Sequence, residues 1–324
     1  MKEEWGGLLN RDFVLGIVIT TLSFLSVVLI PLVGAVVVVL TPLPFLFYFT
    51  KLGRFGGGVL FGASLMLALL ILSFFNPSIL FPLLFFIFAG ATGMMLAEVL
   101  RRSWSIEKTL TVPVAVLLIC SGCLLLLHAY QAGETPWQLI ENYTSSSVQE
   151  NIKIYNQLDV SAEQITFIKD HAGQVAALLA NIFPAIIAVG ASLMVWLNLF
   201  AARFLFRRHG LYYPDFGDLS HWKAPEKMVW LLIAAGGMLF IPLVAVKYTG
   251  MNLLIICLYI YLFAGFSIIG YFFKMKRVPV FFKVLFYLLV LIQQYLLLFV
   301  AVLGLFDLWA DFRKLLKPPQ DSSV

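Results

Sequence analysis

Charge is what this 324-residue chain lacks: Asp, Glu, Lys and Arg together make up 12% of it, and none of them falls near the centre of any long apolar block. A relay of buried carboxylates, the usual device for coupling protons to movement across a membrane, is therefore disfavoured. The phosphate-cradling pattern G-x-x-x-x-G-K-[ST] is absent, which excludes ATP hydrolysis by that route, and neither H-E-x-x-H nor G-x-S-x-G occurs. Only three cysteines are present, all within apolar runs, so no disulfide framework is suggested. Cys120 and Cys123 form a C-x-x-C around Ser121 and Gly122 inside a predicted span, where small-residue helix packing explains them better than redox or metal chemistry. The first eleven residues precede an apolar span with no small-x-small cleavage site, so a removed signal peptide is not expected. No catalytic residue, cofactor or metal is assigned.

What the chain has is apolar length. Hydrophobic residues make up 61%, in uncharged blocks such as Phe13 to Tyr48, Ala172 to Ala202 and Val284 to Phe306. A hydrocarbon layer about 30 Å thick takes roughly 20 apolar residues per helix, so the chain belongs in the lipid bilayer. The blocks lack the in-and-out alternation of a barrel, and helices satisfy their own backbone in lipid. The expected fold is all-α: a polytopic membrane bundle of about nine transmembrane helices, alternatively eight, with a helical external loop. The net charge of +5 sits mostly in short segments between apolar blocks. That is an orientation signal and requires no nucleic acid.

Spans are expected near 13–30, 32–49, 56–74, 78–99, 110–130, 173–202, 228–246, 251–273 and 280–306. The breaks between them fall at Pro31, at Lys51 to Arg54, at Asn76-Pro77 and at Arg101-Arg102, where proline or clustered charge resists a continuous buried helix. Basic residues collect after the second, fourth, sixth and eighth spans, and the alternate segments hold Lys153 and Lys169 in the long loop and Lys247 alone. By the positive-inside rule the N-terminus is cytoplasmic in a bacterial inner membrane, and the loop 131–170 and the C-terminal tail are external, although Arg313, Lys314 and Lys317 then lie outside. The domain reading is an N-terminal membrane half (1–130), an external loop (131–171), a C-terminal membrane half (172–308) and a polar tail (309–324).

The external loop carries two helix-start signatures. Thr135-Pro136-Trp137-Gln138 has a capping threonine, proline at the first helical position and glutamine three residues after the cap, and Ser161-Ala162-Glu163-Gln164 repeats the box. The first opens an amphipathic stretch through Trp137, Ile140, Tyr143, Val148, Ile152 and Tyr155; the second is expected to run into the sixth span as one helix longer than the bilayer, bent at Pro184. Such a loop is either a lid over an external cavity or a passive cap. His128 and His171 flank it and, with Trp137, mark a possible loop site, as a metal pair or as ordinary interfacial histidines. The sequon Asn142-Tyr143-Thr144 matters only in a host that glycosylates. On the other side, Tyr212, Tyr213, Phe216 and Trp222 read as aromatic anchors of an ordered loop spanning 211–227.

Intramembrane polar residues are few: Asn181 and Asn198 in the sixth span, and Gln293 and Gln294 near the middle of the last. These four are the candidate cavity lining, with either amide bonding between helices or a small neutral or weakly polar solute as their partner. Small residues mark expected helix seams at Gly58-x-x-x-Gly62, Ala89-x-x-x-Gly93 and Ala176-x-x-x-Ala180, packing within the chain or docking other membrane subunits.

From Leu158 onward the order of residues resembles the YybS-like family of uncharacterised bacterial multi-pass membrane proteins. It rests on Val160-Ser161-Ala162-Glu163-Gln164, Phe183-Pro184, Asn198, Pro214-Asp215-Phe216 with Trp222 and Pro225, then Gly304, Phe306-Asp307 and Arg313-Lys314. The first half is more distantly similar to the substrate-binding S components of energy-coupling-factor transporters, although only Gly16-x-x-x-Thr20 approaches their first-helix pattern. That resemblance implies solute capture in partnership with separate ATPase and coupling subunits. Three functions remain: a solute-binding or transport module without its own ATPase, a structural or assembly factor for other membrane proteins, and an intramembrane enzyme, for which no acid/base cluster is present.

Overall fold

A computed structural model describes residues 11–30, 34, 37–75, 80–155 and 162–315. The breaks expected at Pro31 and Asn76-Pro77, the second capping serine and the last nine residues lie outside these. Among the described residues every regular element is helical. The chain divides into two compact units, Met1–Cys123 with Gly190–Phe216, and Leu124–Val189 with Gly217–Val324.

In the first unit α1 (Arg11–Leu29) is followed by a 3-10 turn (Val38–Leu40), α2 (Pro42–Phe75), α3 (Leu80–Arg101) and the start of α4 (Ile106–Ala132). The C-terminal part of α6 (Ala162–Arg208) completes it. Its larger core gathers Leu46, Leu60, Leu96, Leu100, Val195 and Phe206, and a second cluster stacks Phe24 edge-on against Phe86 at 4.5 Å. Gly93 lets α3 lie against the start of α2, since a methyl group there would press on Phe45 Cβ at 2.6 Å. Interruptions in these helices are closed by side chains. Gly53 takes a left-handed, non-helical conformation (φ 78°, ψ 177°), and the Arg101 guanidinium donates to the Phe49 carbonyl just before it, at 3.0 Å.

The second unit holds the rest of α4, α5 (Pro136–Tyr155), the N-terminal part of α6, a 3-10 turn (Leu219–His221), α7 (Met228–Met238), α8 (Val244–Met275), α9 (Val280–Ile292), α10 (Gln294–Ala310) and α11 (Phe312–Leu315). The capping box at α5 is formed: Thr135 N–H donates to Gln138 Oε1 at 2.8 Å and Gln138 N–H to Thr135 Oγ1 at 3.2 Å. α5 buries Ile140 and Thr144 and half-buries Val148 and Ile152, one residue per turn, while Tyr143 stays exposed. α6 is a single 47-residue helix carrying Pro184, about 70 Å long at 1.5 Å per residue.

Among the described residues six helices are long and apolar enough to cross a membrane, or seven if the bent pair α9 and α10 is one span. The nine separate spans of the sequence reading are reduced for physical reasons. The second and third form the single apolar stretch Val38–Phe74, but the break expected at Lys51 to Arg54 is present within it, where Gly53 leaves helical geometry, with Lys51 paired to Asp12 at 2.8 Å and Arg54 forked onto Glu98. The seventh stops at Met238 after 11 residues, about 16 Å of helix. The ninth bends by 108° between Ile292 and Gln294.

Candidate functional site

The most elaborate polar construction in the chain surrounds Arg313. Helix α10 ends at Asp311 in the left-handed conformation (φ 40°, ψ 62°), and that reversal aims Phe312 N–H at Asp307 Oδ1, 2.9 Å away. Arg313 then folds back, and its Nη1 donates to Asp307 Oδ2; both residues are 5% exposed. The other guanidinium donors are used as well. Nε reaches the Ser220 carbonyl at 3.1 Å, and Nη2 reaches the Trp222 carbonyl and Ser267 Oγ, each at 2.9 Å. Ser267 Oγ in turn lies 2.9 Å from the Leu219 carbonyl and 2.8 Å from that of Trp222, and its proton serves them. A buried ion pair costs desolvation unless its remaining valences are met, and here each partner is also hydrogen-bonded to the backbone. The result is that the carbonyls of Leu219, Ser220 and Trp222, in and just after the 3-10 turn, are bonded by Ser267 of α8 and by Arg313.

Around this clamp the charges are paired at the surface. Asp218 accepts from Lys274 Nζ and from Ser220, whose Oγ lies at 2.7 Å, and these bonds hold its carboxyl well below the usual range. Asp311 is lowered likewise, by Lys314 at 3.0 Å and Lys223 at 3.1 Å. The loop expected to be ordered between 211 and 227 is tied down along its length. In the first unit its Tyr213 hydroxyl donates to the Leu199 carbonyl at 3.0 Å, and burial pushes that phenol up to about 12. In the second unit Trp222 packs with Ala224, Tyr261 and Ala264. The end of α10 is tied to this loop, with Asp311 bonded to Lys223 and Arg313 to Ser220 and Trp222. The bend between α9 and α10 contains no proline or glycine to announce it.

α6 shows how a helix interruption is mended. Pro184 carries no N–H, and next to it the side chain of Asn252 from α8 bonds both the Ala185 N–H and the Asn181 carbonyl. Asn252 Oδ1 accepts from Ala185 N–H at 2.8 Å, and its Nδ2 donates to the Asn181 carbonyl at 2.8 Å and to the Tyr248 carbonyl at 2.8 Å. Phe183, on the preceding position, meets the Tyr143 ring of α5 edge-on at 6.4 Å. Sequence reading located the weak point at Pro184 but missed Asn252, which sits alone in an apolar run and whose partner is 67 residues away.

The residues expected to line a cavity are placed as follows. Asn181 is half-buried, and its Nδ2 donates to Ala177 of its own helix at 2.7 Å. Gln293 and Gln294 are both exposed, at the break between α9 and α10. There Gln293 has extended backbone (φ −98°, ψ 98°), its N–H donates to the Leu289 carbonyl at 2.9 Å, and Leu296 N–H turns back to the Gln293 carbonyl at 2.9 Å. Among the described contacts no side chain closes this break. Asn198 belongs to the first unit, fully buried, with Nδ2 donating to the carbonyls of Val39 and Met194, each at 2.7 Å, and with Oδ1 unpartnered. The four amides thus serve three separate places.

His128 is exposed on α4 and His171 is half-buried on α6; Trp137 donates from Nε1 to Glu141 at 2.8 Å. Among the described residues no group of three His, Cys, Asp or Glu is placed to hold a metal ion. Ala89, Ala176 and Ala180 are buried, and Gly93 is at a close approach, but a methyl group on Gly58 or Gly62 would meet nothing within 4 Å. The tightest seam is one the sequence did not announce as a motif: on Gly265 of α8 a methyl group would collide with the Val300 carbonyl, and on Gly304 of α10 with the Tyr261 carbonyl. The chemistry on offer is therefore amides, backbone and neutralised ion pairs.

A family model described as predicted membrane protein (DUF2232) matches residues 18–308, and the chain belongs to that family. The match agrees with the YybS-like resemblance. No curated protein and no solved structure matches the chain.

Proposed function

We propose that this member of the DUF2232 family is a solute-binding or transport module of the bacterial cytoplasmic membrane that works without an ATPase of its own. Its ligand class is small, neutral or weakly polar solutes, and separate membrane subunits supply the energy. The observation that carries the reading is the open break at Gln293 and Gln294: two exposed amides and irregular backbone in the middle of an apolar segment. Non-helical backbone at membrane depth is stable only against protein or a water-filled cavity, and interrupted helices are where transporters commonly place their binding groups. Amides without a neighbouring charge favour neutral partners over ions. The external helix α5, reaching Phe183 through Tyr143, is then a cover over the outer end of α6.

The test is thermal. Melting the detergent-purified chain against a panel of vitamin-like neutral and weakly polar solutes should reveal one that stabilises it, because a ligand bound only by the folded state adds about 2.7 kcal/mol at 100 times its Kd. Gln293→Leu and Gln294→Leu should erase that shift and leave the ligand-free melting temperature within a degree or two. No shift with any solute, or the same shift in both variants, would reject the reading.

A second reading, an assembly factor for other membrane proteins, has its own observation. On α2 Gly58 and Gly62 lie one turn apart with open space beside them, and Met66, Leu70 and Phe74 beyond them are exposed. Close helix docking suits such a glycine pair. Under this reading the chain is stabilised by a membrane subunit and by no solute.

A further inference from the structure

We infer that the last apolar segment, Val280 to Ala310, does not cross the membrane but enters and leaves it on one side, as a re-entrant hairpin with Gln293 and Gln294 at its tip. Both ends of the pair are fixed by contacts within the second unit. α9 starts after the turn Lys276–Arg277, directly beyond the end of α8, and Lys274 at that end is paired with Asp218. α10 finishes at Asp311, and the salt bridge to Lys223 and the Arg313 bonds to Ser220 and Trp222 hold it on the same loop, five residues or fewer from Asp218. One loop therefore touches the chain just before the pair and just after it. A straight span would separate those two points by the thickness of the bilayer.

Three further observations agree. α9 has 13 residues and α10 has 17, about 20 and 26 Å, so neither alone covers a core about 30 Å thick. The 108° bend turns the second helix away from the direction of the first. On the return leg Val300 and Gly304 of α10 pass Gly265 and Tyr261 of α8, with backbone almost touching backbone, so the hairpin is locked to a helix that does cross. The charge pattern then becomes regular. Lys223, Lys227, Lys274, Lys276 and Arg277 gather with Arg313 and Lys314 on one side, and Lys247 stands at the opposite end of α8. By the positive-inside rule that side is the cytoplasm, and the tail with it. The inference stands on these contacts alone and survives if no solute is ever found.

Sidedness of the full chain in intact cells decides it. With Cys120, Cys123 and Cys257 replaced by alanine, single cysteines are placed by Glu226→Cys in the basic loop, Ser146→Cys on α5 and Ser322→Cys in the tail, and labelled with a membrane-impermeant maleimide before and after permeabilisation. The tail position should behave as position 226 does, protected until permeabilisation, while position 146 labels at once. Labelling of position 322 together with position 146 would overturn the hairpin. If the cysteine-free chain does not accumulate, the unmodified chain carries the same question in C-terminal fusions: a fluorescent protein should be bright and alkaline phosphatase inactive, and the reverse pair of results would overturn it.

Discussion

Helix α6 and the pair α9–α10 are both interrupted within apolar sequence, and they end differently. At Pro184 the sequence marks a weak point within one long helix, and the 47-residue helix stays continuous there, with Asn252 bonding both the Ala185 N–H and the Asn181 carbonyl. At Gln293 nothing in the sequence forbids a helix, yet the chain turns through 108° and the two glutamines stay exposed. The difference teaches that continuity of a membrane helix is decided by who completes its backbone bonds. A polar side chain on a neighbouring helix can keep a proline-containing helix whole. A clamp beyond the far end of a helix, here Arg313 on Asp307 and the 219–222 carbonyls, can hold a proline-free one bent.

The largest effect expected is at that clamp. Removing one partner of the buried pair, in Asp307→Ala or Arg313→Ala, should destabilise the detergent-purified chain by about 3–5 kcal/mol, since the other charge is left without its partner. Arg313→Lys should recover little, because one ammonium cannot serve Asp307, Ser220 and Trp222 together. A loss of stability confined to less than about 1 kcal/mol would mean the bend holds itself. Limited proteolysis at 217–227 offers a second readout, with the loop cut faster in both alanine variants.

The splice at α6 comes next. Asn252→Leu leaves the Ala185 N–H and the Asn181 carbonyl without their partner and should cost about 2 kcal/mol. The comparison is sharpened by Pro184→Ala in the same background, which restores an N–H to the helix and should return part of the loss. If Pro184→Ala has no effect there, the interruption is not what Asn252 repairs.

Seams should follow. Gly304→Ala drives a methyl group into the Tyr261 carbonyl and should cost about 1–3 kcal/mol, loosening α10 from α8. Gly62→Ala meets open space and should be neutral or stabilising by up to about 1 kcal/mol, as expected for alanine in a helix. A cost at Gly62 measured in membranes but absent in detergent would point to a docked partner on α2.

Acid should act last and least. Asp218 and Asp311 are held below the ordinary carboxylate range by Lys274 and Ser220 and by Lys314 and Lys223, so their contribution is fully present above the unfolded value near pH 4 and is lost as pH falls through the lower folded values. Both groups face solvent, which screens the effect. The melting temperature should be flat from neutrality to about pH 5 and fall only below about pH 4, with a shallower fall in Asp218→Asn.

Much of the fold was legible because it is written locally. The capping threonine at 135 places the start of α5, Pro184 marks the weak point of α6, and the aromatic residues Tyr213 and Trp222 of the loop are bonded or packed. The seams were legible only in part. Gly93 and Gly58 look alike in sequence, and only the first meets another helix. Asp307 and Arg313 are not legible as a pair, because six residues apart across a helix end they do not share a helical face, and the left-handed turn at Asp311 that joins them has no glycine to signal it.

The sequence by itself determined that this chain lives in a bilayer, that its spans are helices, and which segments carry the basic residues, since hydropathy, backbone self-sufficiency and charge are properties of short windows. Tertiary structure alone decided how the interruption at Pro184 is bridged and that Arg313 folds back onto the loop around Ser220 and Trp222. Those outcomes depend on Asn252 reaching across 67 residues to Ala185 and on Arg313 reaching back 93 to Ser220, and a hydrogen bond between residues so far apart in the chain leaves no trace in either window.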